Sequence, residues 1–220
     1  MNIAVIVAHP DDEVLGAGGT MARHVKEGHA VHVLIVADGE TSRPDRAVDK
    51  RAQAAANAAR TLGAEPPRLL GLADQRLDTV PLLDVTQAIE RFLAEAAPSV
   101  VYTHHPNDLN ADHCIVARAV MTACRPLPGS AVTAIYGFET PSSTEWAPPD
   151  AAETFVPARF VDISDTLSVK MAALKHYDAE MRPFPHPRSY EAIEALARWR
   201  GATAGMRAAE AFVVLRDLLR

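Results

Sequence analysis

Short apolar runs alternate with segments of helical period through the first two-thirds of the chain, and no other feature restricts the fold as much. The runs are Asn2–Ala8, Val31–Val36, Arg68–Leu72, Val100–Thr103 and Val132–Phe138. Between them, residues 12–27 place Val14, Leu15, Met21 and Val25 on one face. Ala47–Leu62 is Ala-rich and is stopped by Gly63. Pro81–Ala96 repeats Leu82, Val85, Ile89 and Phe92 at helical spacing, and Asp112–Ala123 is again helical. Strands that alternate with helices predict right-handed βαβ units. The expected fold is therefore α/β: a Rossmann-like, doubly wound, mostly parallel sheet with helices on both faces. In that winding the first strand lies beside the fourth, and ligands bind beyond the carboxyl ends of the strands where the order reverses.

After residue 139 the pattern loosens. Glu139–Pro149 is a long loop, Phe160–Ile163 has the character of a short strand, and Thr166–Met181 reads as a helix. Pro183-Phe184-Pro185-His186-Pro187-Arg188-Ser189 interrupts it. Two helix-like segments follow, and the last, Ala208–Leu219, has partly the pattern of a strand. The expectation is one domain over residues 1–220. Its core covers about 1–140, with a helical and loop extension from about 141 to 220.

Composition excludes several classes. With 48% apolar residues and 23% charged, the chain has ample material for a core and too little charge for disorder. A net charge of −6 argues against nucleic acid or an anionic membrane as partner. Met1-Asn2 lacks the basic start of a signal peptide, and no apolar run is long enough to span a bilayer. These features predict a soluble cytoplasmic protein, with homo-oligomerisation left open. Cys114 and Cys124 share one predicted helix and read as buried free thiols.

The chemistry concentrates in two places. The first strand runs into His9-Pro10-Asp11-Asp12-Glu13, and the fourth into His104-His105-Pro106-Asn107-Asp108-Leu109-Asn110-Ala111-Asp112-His113. Polar groups that costly are not set at the edge of a core without partners. Helix capping accounts for one acid of the first cluster, most simply Glu13, but not for three acids and a histidine. Two imidazoles and one carboxylate with open positions suit a hydrolytic zinc ion, and equally a ferrous ion. A free carboxylate beside a zinc-bound water is placed to take its proton. Asp112 reads either as a group orienting a metal-bound imidazole from behind or as a helix cap. One of His104 and His105 has room for a purely loop-holding role.

These two segments resemble the PIG-L/LmbE-type N-deacetylases, zinc enzymes that remove acetyl from N-acetylglucosamine-type groups on small glycoconjugates. The likeness covers most of the chain. Glu139–Trp146, His186-Pro187-Arg188-Ser189 and Ala209-Glu210-Ala211-Phe212 further resemble its sugar-processing bacterial branches. The resemblance implies His9, Asp12 and His113 as ligands of Zn2+ (or another divalent metal such as Fe2+) and Asp11 as general base. It alone separates Asp11 from Asp12. It also implies an N-acetylated sugar as the small-molecule substrate. One departure stands out: many members carry a second histidine three residues before the last ligand, where this chain has Asn110. An asparagine donates a hydrogen bond to an oxyanion but cannot protonate a leaving amine. That step then falls to Asp11 acting twice, or to His186.

Further substrate candidates are Arg51, Arg76 after the third strand, Arg188, and Trp146, whose ring face suits a sugar. Two other readings compete. His9, Asp11 and His113 have the spacing of an iron-binding facial triad of an oxygenase, although such enzymes usually sit on antiparallel barrels. An acid pair after the first strand also occurs in phospho-receiver modules, with Asp74 as the phosphorylated residue, but the histidines then have no task.

Overall fold

The computed structural model describes residues 1–42, 48–149 and 154–219. Among the described residues, seven strands form one sheet: β1 (Asn2–Val7), β2 (Ala30–Ala37), β3 (Arg68–Leu72), β4 (Val100–His104), β5 (Ala134–Phe138), β6 (Arg159–Asp162) and β7 (Ala209–Asp217). The helices are α1 (Asp12–Lys26), α2 (Val48–Leu62), α3 (Leu82–Ala96), α4 (Ala111–Ala123), α5 (Leu167–Leu174) and α6 (Tyr190–Thr203). Ala47, expected to start α2, lies outside the described residues.

The strand order is β3-β2-β1-β4-β5-β7-β6, with β1 to β5 parallel. The doubly wound α/β expectation holds, including β1 beside β4. β1 and β2 are apolar almost throughout because they are buried on both faces, as central parallel strands must be. One core layer gathers α1, α2 and α5 with Tyr102, Phe138 and Phe212, and the other gathers α3 and α4 on the opposite face. Winding reverses between β1 and β4, so their carboxyl ends open one crevice, and α1 and α4 start there.

The C-terminal segment does more than extend this core. β6 and β7 join the same sheet antiparallel, with Phe212 of β7 opposite Phe138 of β5. Ala208–Leu219, ambiguous between helix and strand in its pattern, resolves as strand because β5 offers an unpaired edge. The helix expected over 166–181 stops at Leu174 and continues as a 3-10 turn, Lys175–Glu180, kinked at Tyr177. Local periodicity yields there to tertiary partners, since Tyr177 and Glu180 are both turned to groups around Asp11. Both cysteines are free, Cys124 buried and Cys114 partly so.

Close approach explains a glycine of α1. A Cβ on Gly16 would fall 2.1 Å from the Phe138 ring. The motif helix thus lies directly on the sheet, against β5.

Candidate metal centre

β1 delivers His9 to the crevice, and Pro10 carries the chain into a sharp turn. Asp11 has φ 119° and ψ −30°, a positive φ that costs a non-glycine residue about 1–3 kcal/mol. That turn sends Asp11 and Asp12 in different directions. The Asp12 side chain folds back, and its Oδ2 accepts the His9 backbone N–H at 2.8 Å. α4 brings His113 from the other side, one turn after Asn110 caps the helix by accepting the Asp112 N–H.

Three donor atoms meet at that point. His9 Nδ1 lies 3.2 Å from Asp12 Oδ2, His113 Nε2 lies 3.3 Å from Asp12 Oδ2, and the two imidazole nitrogens are 3.3 Å apart. A tetrahedral zinc with bonds of about 2.0–2.1 Å sets its ligands about 3.3–3.4 Å apart. The triangle has that size. Asp12 Oδ1 is fully buried and has no hydrogen-bond partner among the described residues, a cost that a cation beside it would relieve. Charge agrees. Burial works against an imidazolium at His113, yet the Asp12 and Asp108 carboxylates raise its pKa to about 9. Asp12 itself, despite burial, is held well below the usual carboxylate range, chiefly by His113. The residues present therefore fit a divalent metal.

Each imidazole is backed by carboxylates, as metal-bound histidines generally are. His113 Nδ1 is 3.1 Å from Asp108 Oδ1. Asp108 in turn accepts from the hydroxyls of Ser143 and Thr144, and His113 foremost, together with these hydroxyls, outweighs burial to keep its pKa at about 2. His9 Nε2 is 3.2 Å from Asp112 Oδ2 and 3.1 Å from Asp74 Oδ1. His9, Asp74 and Asp112 form a second group of close donor atoms. There, however, the Asp112 oxygens already accept the backbone N–H groups of Gln75 and Leu77, and Asp74 accepts from Ser42. The side of His9 with the unpartnered oxygen is the better place for an ion. Asp112 does lie behind an imidazole, as one of its two sequence readings had it.

Asp11 stands apart from the triangle. Its Oδ2 accepts from Arg188 Nη1 at 2.9 Å and lies 3.4 Å from Arg51 Nη2. Burial raises its pKa, and the two guanidinium groups partly offset that. The iron reading, which needs Asp11 between the imidazoles, is thereby corrected: among the described residues, Asp12 fills that place. The receiver reading also fails, because Asp74 is engaged with His9 instead of standing free.

The remaining expectations divide. His104 accepts the Ala8 backbone N–H on Nε2 at 2.9 Å and stacks on His113, with centroids 3.9 Å apart. Burial and His113 lower its pKa to about 3, so it is a neutral spacer that sets the ring of His113. His105 packs edge-on against Phe155. Arg51, a substrate candidate, is buried and donates to the Pro10 and Gly39 carbonyls, which fixes the turn. Arg188 is bonded to Asp11, Ser142 and the Pro141 carbonyl, tying the 139–146 loop to the crevice. Trp146 is 52% exposed and meets His186 edge-on at 5.8 Å, while His186 Nδ1 accepts the Arg188 N–H. Arg76 is exposed, between the two residues whose N–H groups hold Asp112. Asn110 spends its carbonyl oxygen as the α4 cap, leaving its amide group as the donor.

Sequence reasoning gave no support role to Asp108 or Asp74. Both had a readable signal: each is an acid just after a strand on the ligand edge of the sheet. Tyr177 had none, since its part comes from a turn 164 residues after its partner Glu13.

Comparison with known proteins bears on the same residues. Residues 4–124 match the family model described as PIG-L: GlcNAc-PI de-N-acetylase. The Escherichia coli "uncharacterized deacetylase YaiS" is 34% identical over 181 residues, covering 80% of this chain and 89% of that one. A 1D-myo-inositol 2-acetamido-2-deoxy-alpha-D-glucopyranoside deacetylase of Mycobacteroides abscessus is 29% identical, covering 81% of each chain. A 4-oxalmesaconate hydratase of Pseudomonas putida is 28% identical over 78% of this chain and 70% of its own. The family model takes in the crevice from β1 to α4, the E. coli relative follows most of the chain, and this chain belongs to the PIG-L family.

Proposed function

We propose that this protein is a metal-dependent hydrolase that removes the N-acetyl group from an N-acetylglucosamine-type sugar or glycoconjugate. One observation carries the reading. The metal-sized triangle of His9, Asp12 and His113 has a separate buried carboxylate, Asp11, beside it on the same turn. Zn2+ is a metal that two imidazoles and a carboxylate suit; it would polarise the amide carbonyl and lower the pKa of a water.

The chain's own groups supply the rest. Arg188 and Arg51 favour the carboxylate form of Asp11 and partly offset the burial that raises its pKa, and that form is the one that acts as a base. Asp11 takes the proton of the attacking water and returns it to the nitrogen of the leaving amine as the C–N bond breaks. With Asn110 where a histidine is common, no imidazole stands there to do so, and the Asn110 amide is left to donate a hydrogen bond to the carbonyl oxygen as it gains charge. Asp108 and the Asp74–Asp112 pair hold the two imidazoles in the ring orientation that ligation requires.

Trp146, His186 and Arg188 cluster at one rim and Arg76 lies at another, which suits a sugar ring and an appended polar or anionic group. Trp146→Ala is expected to lower kcat/KM by roughly 10–100-fold with metal content unchanged, since a ring platform is worth about 1–3 kcal/mol. Metal analysis beside steady-state kinetics checks it.

The function is tested by amine release from a panel of N-acetylglucosamine, its glycosides and nucleotide conjugates, acetylated peptides and simple N-acetyl amines. The expected result is turnover of the sugars alone. Preference for peptides would overturn the sugar assignment. Hydration of an unsaturated dicarboxylic acid, with no amine released from any amide, would overturn the deacetylase assignment.

A further inference from the structure

Glu13 is a buried carboxylate at the end of the motif, and neither group of close donor atoms around His9 contains it. Both its oxygens are nevertheless committed. Oε2 accepts the backbone N–H of Asp11 at 3.1 Å, and Oε1 accepts the hydroxyl of Tyr177 at 2.6 Å. Tyr177 is itself buried, and it sits at the non-helical kink of the Lys175–Glu180 turn. Asp11 is the residue with the strained backbone, φ 119°. The same turn reaches Asp11 a second way. Glu180 lies 3.7 Å from Arg51 Nη1, and Arg51 in turn holds the Pro10 carbonyl and stands 3.4 Å from Asp11 Oδ2.

We propose that Tyr177 is a positioning residue for the reaction, acting through Glu13 on the Asp11 peptide to keep that carboxylate aimed into the crevice. This rests on Asp11 being the base proposed above. A positive φ without glycine persists only where its surroundings over-determine it. Beside the Arg51 bond to the Pro10 carbonyl and the Arg188 bond to the Asp11 carboxylate, the determinants here include one hydrogen bond to the Asp11 N–H, from a carboxylate that needs its own anchor. Capping, the plain alternative for an acid in the first turn of a helix, would use the helix N–H groups in general. It would not explain why the second oxygen is spent on a tyrosine from the far end of the chain. The C-terminal segment, on this view, completes the site by fixing the geometry of a group it does not contain, and a misplacement of about 1 Å at a reacting group costs on the order of 10²-fold.

The experiment is a double-mutant cycle on the metal-loaded full chain, using the fastest substrate of the sugar panel. Tyr177→Phe should lower kcat about tenfold with KM and metal content near wild type. In the Asp11→Asn background the same change should have almost no effect, because the group it positions is gone. Glu13→Gln keeps an acceptor for the Asp11 N–H and a partner for the tyrosine oxygen, so it should retain more activity than Glu13→Ala. A loss from Tyr177→Phe that is equal in both backgrounds, or no loss at all, overturns the positioning role while leaving Asp11 as base. Wild-type turnover by Asp11→Asn overturns the base itself and the positioning role with it. Should Glu13→Ala fail to fold, the Tyr177→Phe cycle decides alone, since it removes one hydroxyl.

Discussion

Alanine at His113 is expected to leave a folded protein that purifies with little divalent metal and has little turnover. The imidazole supplies one of three donor atoms spaced 3.2–3.3 Å apart. If a binding free energy of roughly 10–16 kcal/mol is shared among three donors, one is worth about 3–5 kcal/mol, or two to four orders of magnitude in affinity. His9→Ala should behave in the same way, and Asp12→Asn should weaken binding as well, because an amide brings no charge to the ion. Asp74→Asn or Asp108→Asn should cost less, about 10–100-fold, since they act on the ligands from behind. Elemental analysis of the purified variants is the measurement. Full stoichiometric metal in both His9→Ala and His113→Ala would falsify the centre.

Asp11→Asn should produce the opposite combination: metal retained, activity lost by roughly 10²–10⁴-fold. The amide is close in size to the carboxylate and can still accept from Arg188, so the turn should survive. What it cannot do is take a proton from water. The pairing of results matters more than either alone. Loss of metal from Asp11→Asn with retention by Asp12→Asn would exchange the two roles. Both variants losing metal would mean that the turn, and not one carboxylate, is what the substitution damaged.

Some of this was legible in one dimension. The alternation of apolar runs with helical segments is a local property of the chain, set by side-chain periods of 2.0 and 3.6, and it carries through to the parallel part of the sheet, with β1 beside β4. Because β1 and β4 are neighbours in such a sheet, two clusters a hundred residues apart could be put in one crevice before any side chain was placed. The types of residue in them, imidazole and carboxylate, limited the chemistry to a metal or proton transfer.

The folded chain decided everything that depends on direction and distance. Asp11 and Asp12 are adjacent and chemically alike; it takes the positive φ at Asp11 to turn one against two arginines and the other between two imidazoles. Asp74, Asp108 and Asp112 back the histidines because the segments that follow β3 and β4 leave the same edge of the sheet, with Asp112 in the first turn of α4. The last segment became a strand because β5 had an edge to pair, a fact about its neighbour and not about its own pattern. Tyr177 reaches Glu13 through a kink that its helical periodicity argues against. Periodicity is written residue by residue and survives reading from the sequence alone. Convergence of groups distant in the chain is set by strand order, backbone strain and the packing of one element on another, and it exists only once those are in place.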